Sequence, residues 1–423
     1  MGWMKNTKRN YILLIAVSAC LIYAVSSGIR SNLAILLNSL VEHSGQSYAA
    51  VSFALAAGQL VYGLVQPLFG IIVIKKSNLT ALSCGVILMA IGLAVTPWCH
   101  SELTLLLFPG IIFHAGTGAT CFGIVMSVAT PALGRYHAAV VSGLINAGTG
   151  LGSTFLAPLM SLLNNTVGVD ITMLCLLVPV MLIMPVCVWL SHRKNIMMQS
   201  HPDDGVEKTS MWQAVNSALK DRDFIILVVS FSICGFHMAI LQTHMYAQLI
   251  SYGISEPIAT LCYTLMGIAT MCGALLCGLC CLKFEIKNVL GSVYVLRGVI
   301  GILFVFVLPK NSITVIVVAI MLGLTTDASV SPTCALICNK YGPKLMAILF
   351  GFTYMCHQIG SFLSAAFGGM SLTTTGNYNL LWTADILLCL LAAALVYAIR
   401  IKTELIKEKS KSSYTTSKPT AAA

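Results

Sequence analysis

Long apolar runs separated by short polar segments organise this chain from end to end. Twelve of them read as membrane-crossing helices: 11–38, 48–74, 79–98, 103–130, 137–162, 171–191, 224–250, 257–282, 288–308, 312–338, 344–369 and 378–400, here spans 1 to 12. A hydrocarbon core about 30 Å thick asks for about 20 apolar residues in a helix, and each run meets that demand. The polar segments alternate in character. One set carries Lys75-Lys76, Arg135, His192-Arg193-Lys194, Lys283 with Lys287, and Lys340 with Lys344, and the other carries Glu42, Glu102, Asp170 and Glu256. Basic segments stay on the cytoplasmic side, so an even span count places both termini of this multi-pass membrane protein in the cytoplasm.

Composition strengthens this picture. Hydrophobic residues make up 57% of the chain and charged ones 9%, with a mean hydropathy of +0.89. A soluble domain carries about 25% charged residues. The net charge of +10 does not point to nucleic acid, because every Lys and Arg lies on the basic side except Arg30, Arg297 and Lys310. It reports orientation. The apolar stretch at the basic N-terminus is too long for a secretory signal and lacks a clear cleavage site. The 16 Cys are scattered along the spans as packing residues. Cys277-x-x-Cys280-Cys281 has no matching His or Cys pair, so no metal and no cofactor is expected.

The longest polar stretch divides the spans six and six. The expected organisation is a six-helix bundle over 1–191, a cytoplasmic linker over 192–223, a second six-helix bundle over 224–403 and a disordered tail over 404–423. Within the linker, Met211-Trp212 and Ala214-Val215 read as a short interfacial helix. The halves also resemble each other. Ser27-Gly28-Ile29-Arg30 in span 1 matches Cys234-Gly235-Phe236-His237 in span 7, and Gly45 and Gly253 then fall within a residue of register. Gly143 and Gly351 are each followed nine residues later by a Gly-Ser pair, and Lys75 and Lys283 recur after spans 2 and 8. Two parallel six-span repeats about an axis normal to the membrane form a transporter architecture.

Over essentially its whole length the chain resembles the major facilitator superfamily, and within it the bacterial monocarboxylate-porter-like, YcxA-like group. The resemblance is carried by the run from Gly58 to Gly70 in span 2, Cys234-Gly235-Phe236-His237 with Thr243-His244 in span 7, Leu296-Arg297-Gly298 in span 9, and Leu349-Phe350-Gly351 through Gly360 in span 11. The run Ile71 to Lys76 departs from the superfamily pattern, because it lacks the Asp of the usual charge lock. The resemblance implies an all-α membrane protein of twelve helices in two pseudo-symmetric bundles, which rock about a central site. It implies that spans 1, 4, 7 and 10 line the cavity.

Charges inside those spans are the candidate site. Arg30 costs roughly 2.5–3.5 kcal/mol in a lipid-spanning helix, so a chain that keeps it uses it. The repeat makes His237 its counterpart, and two such groups converging from the two bundles suit a carboxylate. His244 shares the helix face of His237. Asp327, the one acid deep in a cavity helix, is the expected counter-ion of Arg30 or the proton carrier, a role His237 also suits. His114, His357 and Gln358 complete the expected substrate contacts; Asn146, Gln59, Tyr62 and Tyr263 are weaker candidates. Arg297 and Asp385 lie in peripheral spans and are expected to brace the second bundle.

The Gly-rich runs Gly116-Thr117-Gly118 and Gly148 to Gly152 follow no strand, so they are helix contacts rather than a dinucleotide fold. No phosphate-binding loop appears, and no nucleophile sits beside a base, so the chain is not read as an enzyme. The expected function is secondary active transport of a small organic anion such as a monocarboxylate, by symport with protons or antiport with a counter-anion. The expected partners are that solute, the coupling ion and the lipid bilayer, with the protein a monomer. An efflux carrier for a drug-like or metabolite solute is the alternative, and a receptor of transporter ancestry is the alternative from another class.

Overall fold

The computed structural model describes residues 2–198, 211–342 and 344–400. Residues 199–210 of the expected linker and the whole expected tail lie outside them. Among the described residues the structure is helical, without strands. That follows from the solvent: lipid offers no hydrogen bonds, so each crossing segment must satisfy its backbone internally. Among the described residues eleven stretches are long and apolar enough to cross a membrane. One of them, Val141–His192, has 52 residues and would extend about 78 Å at about 1.5 Å per residue. It carries spans 5 and 6 together, and Gly168, between them, takes a positive φ of +83°. Twelve crossings result.

Span ends carry the capping chemistry that free backbone groups require. The Ser47 hydroxyl accepts from the Ala50 amide at 3.1 Å, the Ser77 hydroxyl from Thr80 at 3.0 Å, and the Asn311 side chain from Thr314 at 3.0 Å. The linker helix is Met211–Leu219, and its Val215 is buried.

The internal repeat is visible in the backbone. Span 2 is Tyr48–Lys75 and span 8 is Glu256–Lys283, each of 28 residues. Both ends give one offset, 256 − 48 = 283 − 75 = 208. Gly45 and Gly253, at the same offset, both take positive φ (69° and 78°) in the turns before them. Spans 4 and 10 are each interrupted. Span 4 stops at Ala119 and resumes at Phe122, and span 10 stops at Thr326 and resumes at Val330. Equivalent breaks in two membrane helices place irregular backbone where it faces protein or a cavity rather than lipid.

Small residues let the helices approach. A Cβ on Gly28 would lie 2.7 Å from the Gly152 backbone, so spans 1 and 5 touch main chain to main chain. The same device joins the two halves at the end with the basic segments. Gly70 packs on the Ile348 backbone, Gly351 on Gln66 and Pro67, and Gly143 on Ala274 and Gly278. One buried apolar cluster runs through both halves there, including Phe122 against Phe350 with ring centroids 5.2 Å apart. Towards the other end the contacting faces open: Ala56 in span 2, Phe362 in span 11, Thr154 in span 5 and Thr264 in span 8 are exposed. The halves therefore form a cleft closed at the basic end.

Candidate functional site

Arg30 stands at the apex of this cleft. It is partly exposed, ends span 1 within Gly2–Asn32, and donates from Nη1 to Gln59 Oε1 at 2.5 Å. Its Cζ lies 4.1 Å from the centre of the Tyr62 ring, a cation–π arrangement. Its Nε is buried and has no hydrogen-bond partner among the described residues. Gln59 and Tyr62, the weaker candidates, are thus the residues that orient it. One turn apart in span 2, they present a carbonyl and a ring to one guanidinium.

The second half meets this group from span 11. Gln358 Nε2 donates across to the Gln59 backbone oxygen at 3.0 Å. Tyr354 packs edge-on to Tyr62 with ring centroids 5.5 Å apart, and His357 lies against Tyr354 at 4.9 Å and Phe231 at 5.0 Å. His357 is buried, with Nδ1 3.3 Å from Gln358 Oε1. Tyr354 and Phe231 were not legible as site residues. The signal for Tyr354 lay in the repeat, because 354 − 208 = 146 makes it the counterpart of Asn146.

Asp327 stands in the break of span 10. It is 8% exposed, and among the described residues its carboxylate makes no hydrogen bond or ion pair. The charges within electrostatic range are His357, Arg297 and Arg30. Its backbone oxygen accepts from Asn146 Nδ2 in span 5 at 2.9 Å, which ties the two halves at the break. The expected Arg30–Asp327 ion pair is therefore not formed; the two groups share a field rather than a bond.

His237 occupies the position equivalent to Arg30 but not the cleft. It is fully buried inside the second half, with Nδ1 2.8 Å from Asp385 Oδ2 of span 12. The expectation of a cation pair with Arg30 across the cleft is corrected in this conformation: a buried carboxylate outbids an open cleft for the imidazole. His237, Asp385 and Cys389 place ligand atoms within 4.8 Å of one another. The 2.8 Å contact is a hydrogen bond in this structure.

The remaining histidines serve helix contacts. His114 is buried against Gly58, with Nδ1 directed at the carbonyls of Pro109 (2.9 Å) and Gly110 (2.8 Å) beside the wide turn Leu106–Ile112. His244 Nε2 lies 3.1 Å from the Ala365 carbonyl, and its ring packs on Tyr378. Neither hydrogen-bonds to Arg30, although His114 lies within electrostatic range of it. Tyr263 donates to the Leu241 carbonyl.

Arg297 explains why span 10 can break. Fully buried, its Nη2 donates to the carbonyls of Thr325 and Thr326, both at 2.6 Å. These are end-of-helix acceptors, where a cation also meets the negative end of the helix dipole. Replacing Arg297 with Ala strands two buried carbonyls at about 1–3 kcal/mol each. A clear fall in the thermal unfolding midpoint of purified protein is expected, with Arg297→Lys falling less. Equal midpoints for wild type and Arg297→Ala would discard the bracing role.

Comparison with known proteins agrees with this geometry. A family profile described as Major Facilitator Superfamily matches residues 19–365 and, separately, 238–421. Human monocarboxylate transporter 12 is 22% identical over 377 residues, 81% of this chain and 71% of that protein. The E. coli fucose:proton symporter superposes with a TM-score of 0.66 at 16% identity, over 92% of this chain and 98% of its own. A bacterial homologue of the iron transporter ferroportin, solved outward-facing, gives a TM-score of 0.72 at 13% identity, over 90% and 98%. At these identities the structural likenesses speak to the fold alone.

Proposed function

The chain belongs to the major facilitator superfamily, a family of membrane transporters rather than enzymes, and from that premise we propose that it moves a small organic anion, such as a monocarboxylate, by alternating access coupled to a proton or counter-anion. The observation that supports this is the state of Arg30: a cation at the apex of an open cleft, oriented by Gln59 and Tyr62, with Nε unpartnered. A planar fork with a donor still unused suits a carboxylate. The 22% likeness to a monocarboxylate transporter points the same way. Gln358 and His357 flank the solute from the second half. His114 and His244 act through the helices they hold.

We place the coupling proton on Asp327, whose carboxylate is unpaired, rather than on His237, which Asp385 already engages. The bundles comprise 1–191 and 224–403, joined by the linker 192–223. The basic segments and both termini are cytoplasmic, the membrane is a bacterial inner membrane, and the protein works as a monomer. The cleft then faces outward.

A thermal-shift screen of purified protein tests the solute class. Organic monocarboxylates are expected to raise the unfolding midpoint by mass action, while sugars, amino acids and cationic drugs leave it in place. Stabilisation by a sugar or a drug and by no carboxylate would overturn the anion assignment.

A further inference from the structure

The two halves differ sharply at one pair of equivalent positions. The 208-residue offset between span 2 and span 8 makes Gly267 the counterpart of Gln59. An axis along the membrane normal puts the two at the same depth, on opposite walls. Gln59 fills its place with the amide that holds Arg30. Gly267 leaves its place empty: no atom lies within 4 Å of where a Cβ would stand, and the residue is exposed.

Helical geometry decides whether Gly267 faces lipid or cleft. At about 100° per residue, Met271, Ala274 and Gly278 all fall within about 40° of Gly267. Met271 meets Gly150 of span 5, and Ala274 and Gly278 meet Gly143. Gly267 therefore lies on the face that packs against span 5, at its last contact: its carbonyl oxygen is 3.6 Å from where a Cβ on Gly150 would stand. Thr260 and Thr264 continue that face and are exposed. The exposed Leu261, Ile268, Leu276 and Leu279 sit about 100–180° round the helix, where lipid lies. Span 5 repeats the pattern: exposed Thr154 follows Gly150 on the packing face, while exposed Phe155, Leu159 and Leu162 face away. A face that packs tightly and then turns to threonine and glycine where its partner departs is a wetted wall.

We propose that Gly267 sets the size of the solute: the space beside it receives the organic body of the anion whose carboxylate Arg30 holds. The inference rests on the anion reading above. It names the substrate as a monocarboxylate with several carbons beyond the carboxylate, since the wall opposite the cation is left vacant rather than filled.

The test uses the full chain in detergent, with straight-chain monocarboxylates from acetate to hexanoate as probes. Gly267→Leu is expected to weaken hexanoate at least tenfold relative to acetate, with Gly267→Ala between. Open space at the site lets these variants fold. An unchanged hexanoate-to-acetate ratio in Gly267→Leu overturns the proposal while leaving the anion reading intact. If the ratio shifts but Arg30→Ala binds hexanoate as well as wild type, the size position stands and the anion reading fails. If no carboxylate binds wild type, both fall. Gly267→Cys adds a check that needs no solute. A charged, lipid-impermeant maleimide is expected to label it above the level of the unsubstituted protein, and no gain in labelling overturns the proposal.

Discussion

Arg30→Ala is expected to weaken solute binding by about two orders of magnitude while leaving the protein folded. The estimate comes from the bonds lost: a hydrogen bond to a charged group is worth about 1.5–3 kcal/mol, and a carboxylate in the fork of Arg30 makes up to two. Stability is expected to hold, because Arg30 is partly exposed and anchors no helix end; its partners, the Gln59 amide and the Tyr62 face, lose a neighbour that water in the cleft replaces. Arg30→Lys keeps the charge and loses the planar fork, so binding about tenfold weaker is expected. The contrast with Arg297 sharpens the test. Both are arginines in apolar helices, yet Arg297 spends its Nη2 on two carbonyls of a broken helix and is expected to lose stability when truncated. Dissociation constants from thermal-shift titration and uptake into proteoliposomes measure both effects. Wild-type uptake by reconstituted Arg30→Ala would remove the anion site from Arg30.

The architecture was open to reading because its causes are local. A span announces itself by length and hydropathy, and the repeat by glycines in register, as the positive φ of both Gly45 and Gly253 bears out. The site was half open to reading, because its causes are not local. That Arg30 must find a polar partner follows from its cost in lipid; that the partner is Gln59, 29 residues on, depends on how spans 1 and 2 pack. His237 shows the limit of symmetry. Backbone positions follow the repeat, but a side chain follows its strongest partner, and Asp385 lies 148 residues away in a helix with no counterpart acid in the first half. Arg297 was expected as a brace, and the groups it meets are backbone carbonyls at a break that no residue pattern in span 10 announced. Tyr354 and Phe231 were invisible for a plainer reason: an aromatic in an apolar span looks the same whether it floors a cleft or fills a core.

Asp327→Asn is expected to abolish accumulation driven by a pH gradient while sparing solute exchange down its own gradient. The argument starts from cost. A buried carboxylate without hydrogen bonds is expensive when ionised, so Asp327, 8% exposed and without a bonded partner among the described residues, is the group to which we assign the coupling proton. Its surroundings then link proton to solute. Arg30, Arg297 and His357 lie within electrostatic range of Asp327. A solute carboxylate on Arg30 cancels part of that field, so anion and proton enter the site together, each assisting the other as linkage requires. The backbone supplies the connection to movement. Asn146 of the first half donates to the Asp327 carbonyl at 2.9 Å, so the residue that changes charge sits on the seam that must part when the bundles rock. Asn removes the titration and keeps the shape, which is why exchange should survive. Proteoliposomes separate the outcomes: uptake against an imposed pH gradient reads coupling, and counterflow of labelled solute at equal pH reads exchange. If Asp327→Asn accumulates solute as wild type does, the proton binds elsewhere or a counter-anion takes its place; if counterflow also fails, Asp327 holds solute or structure rather than the coupling ion.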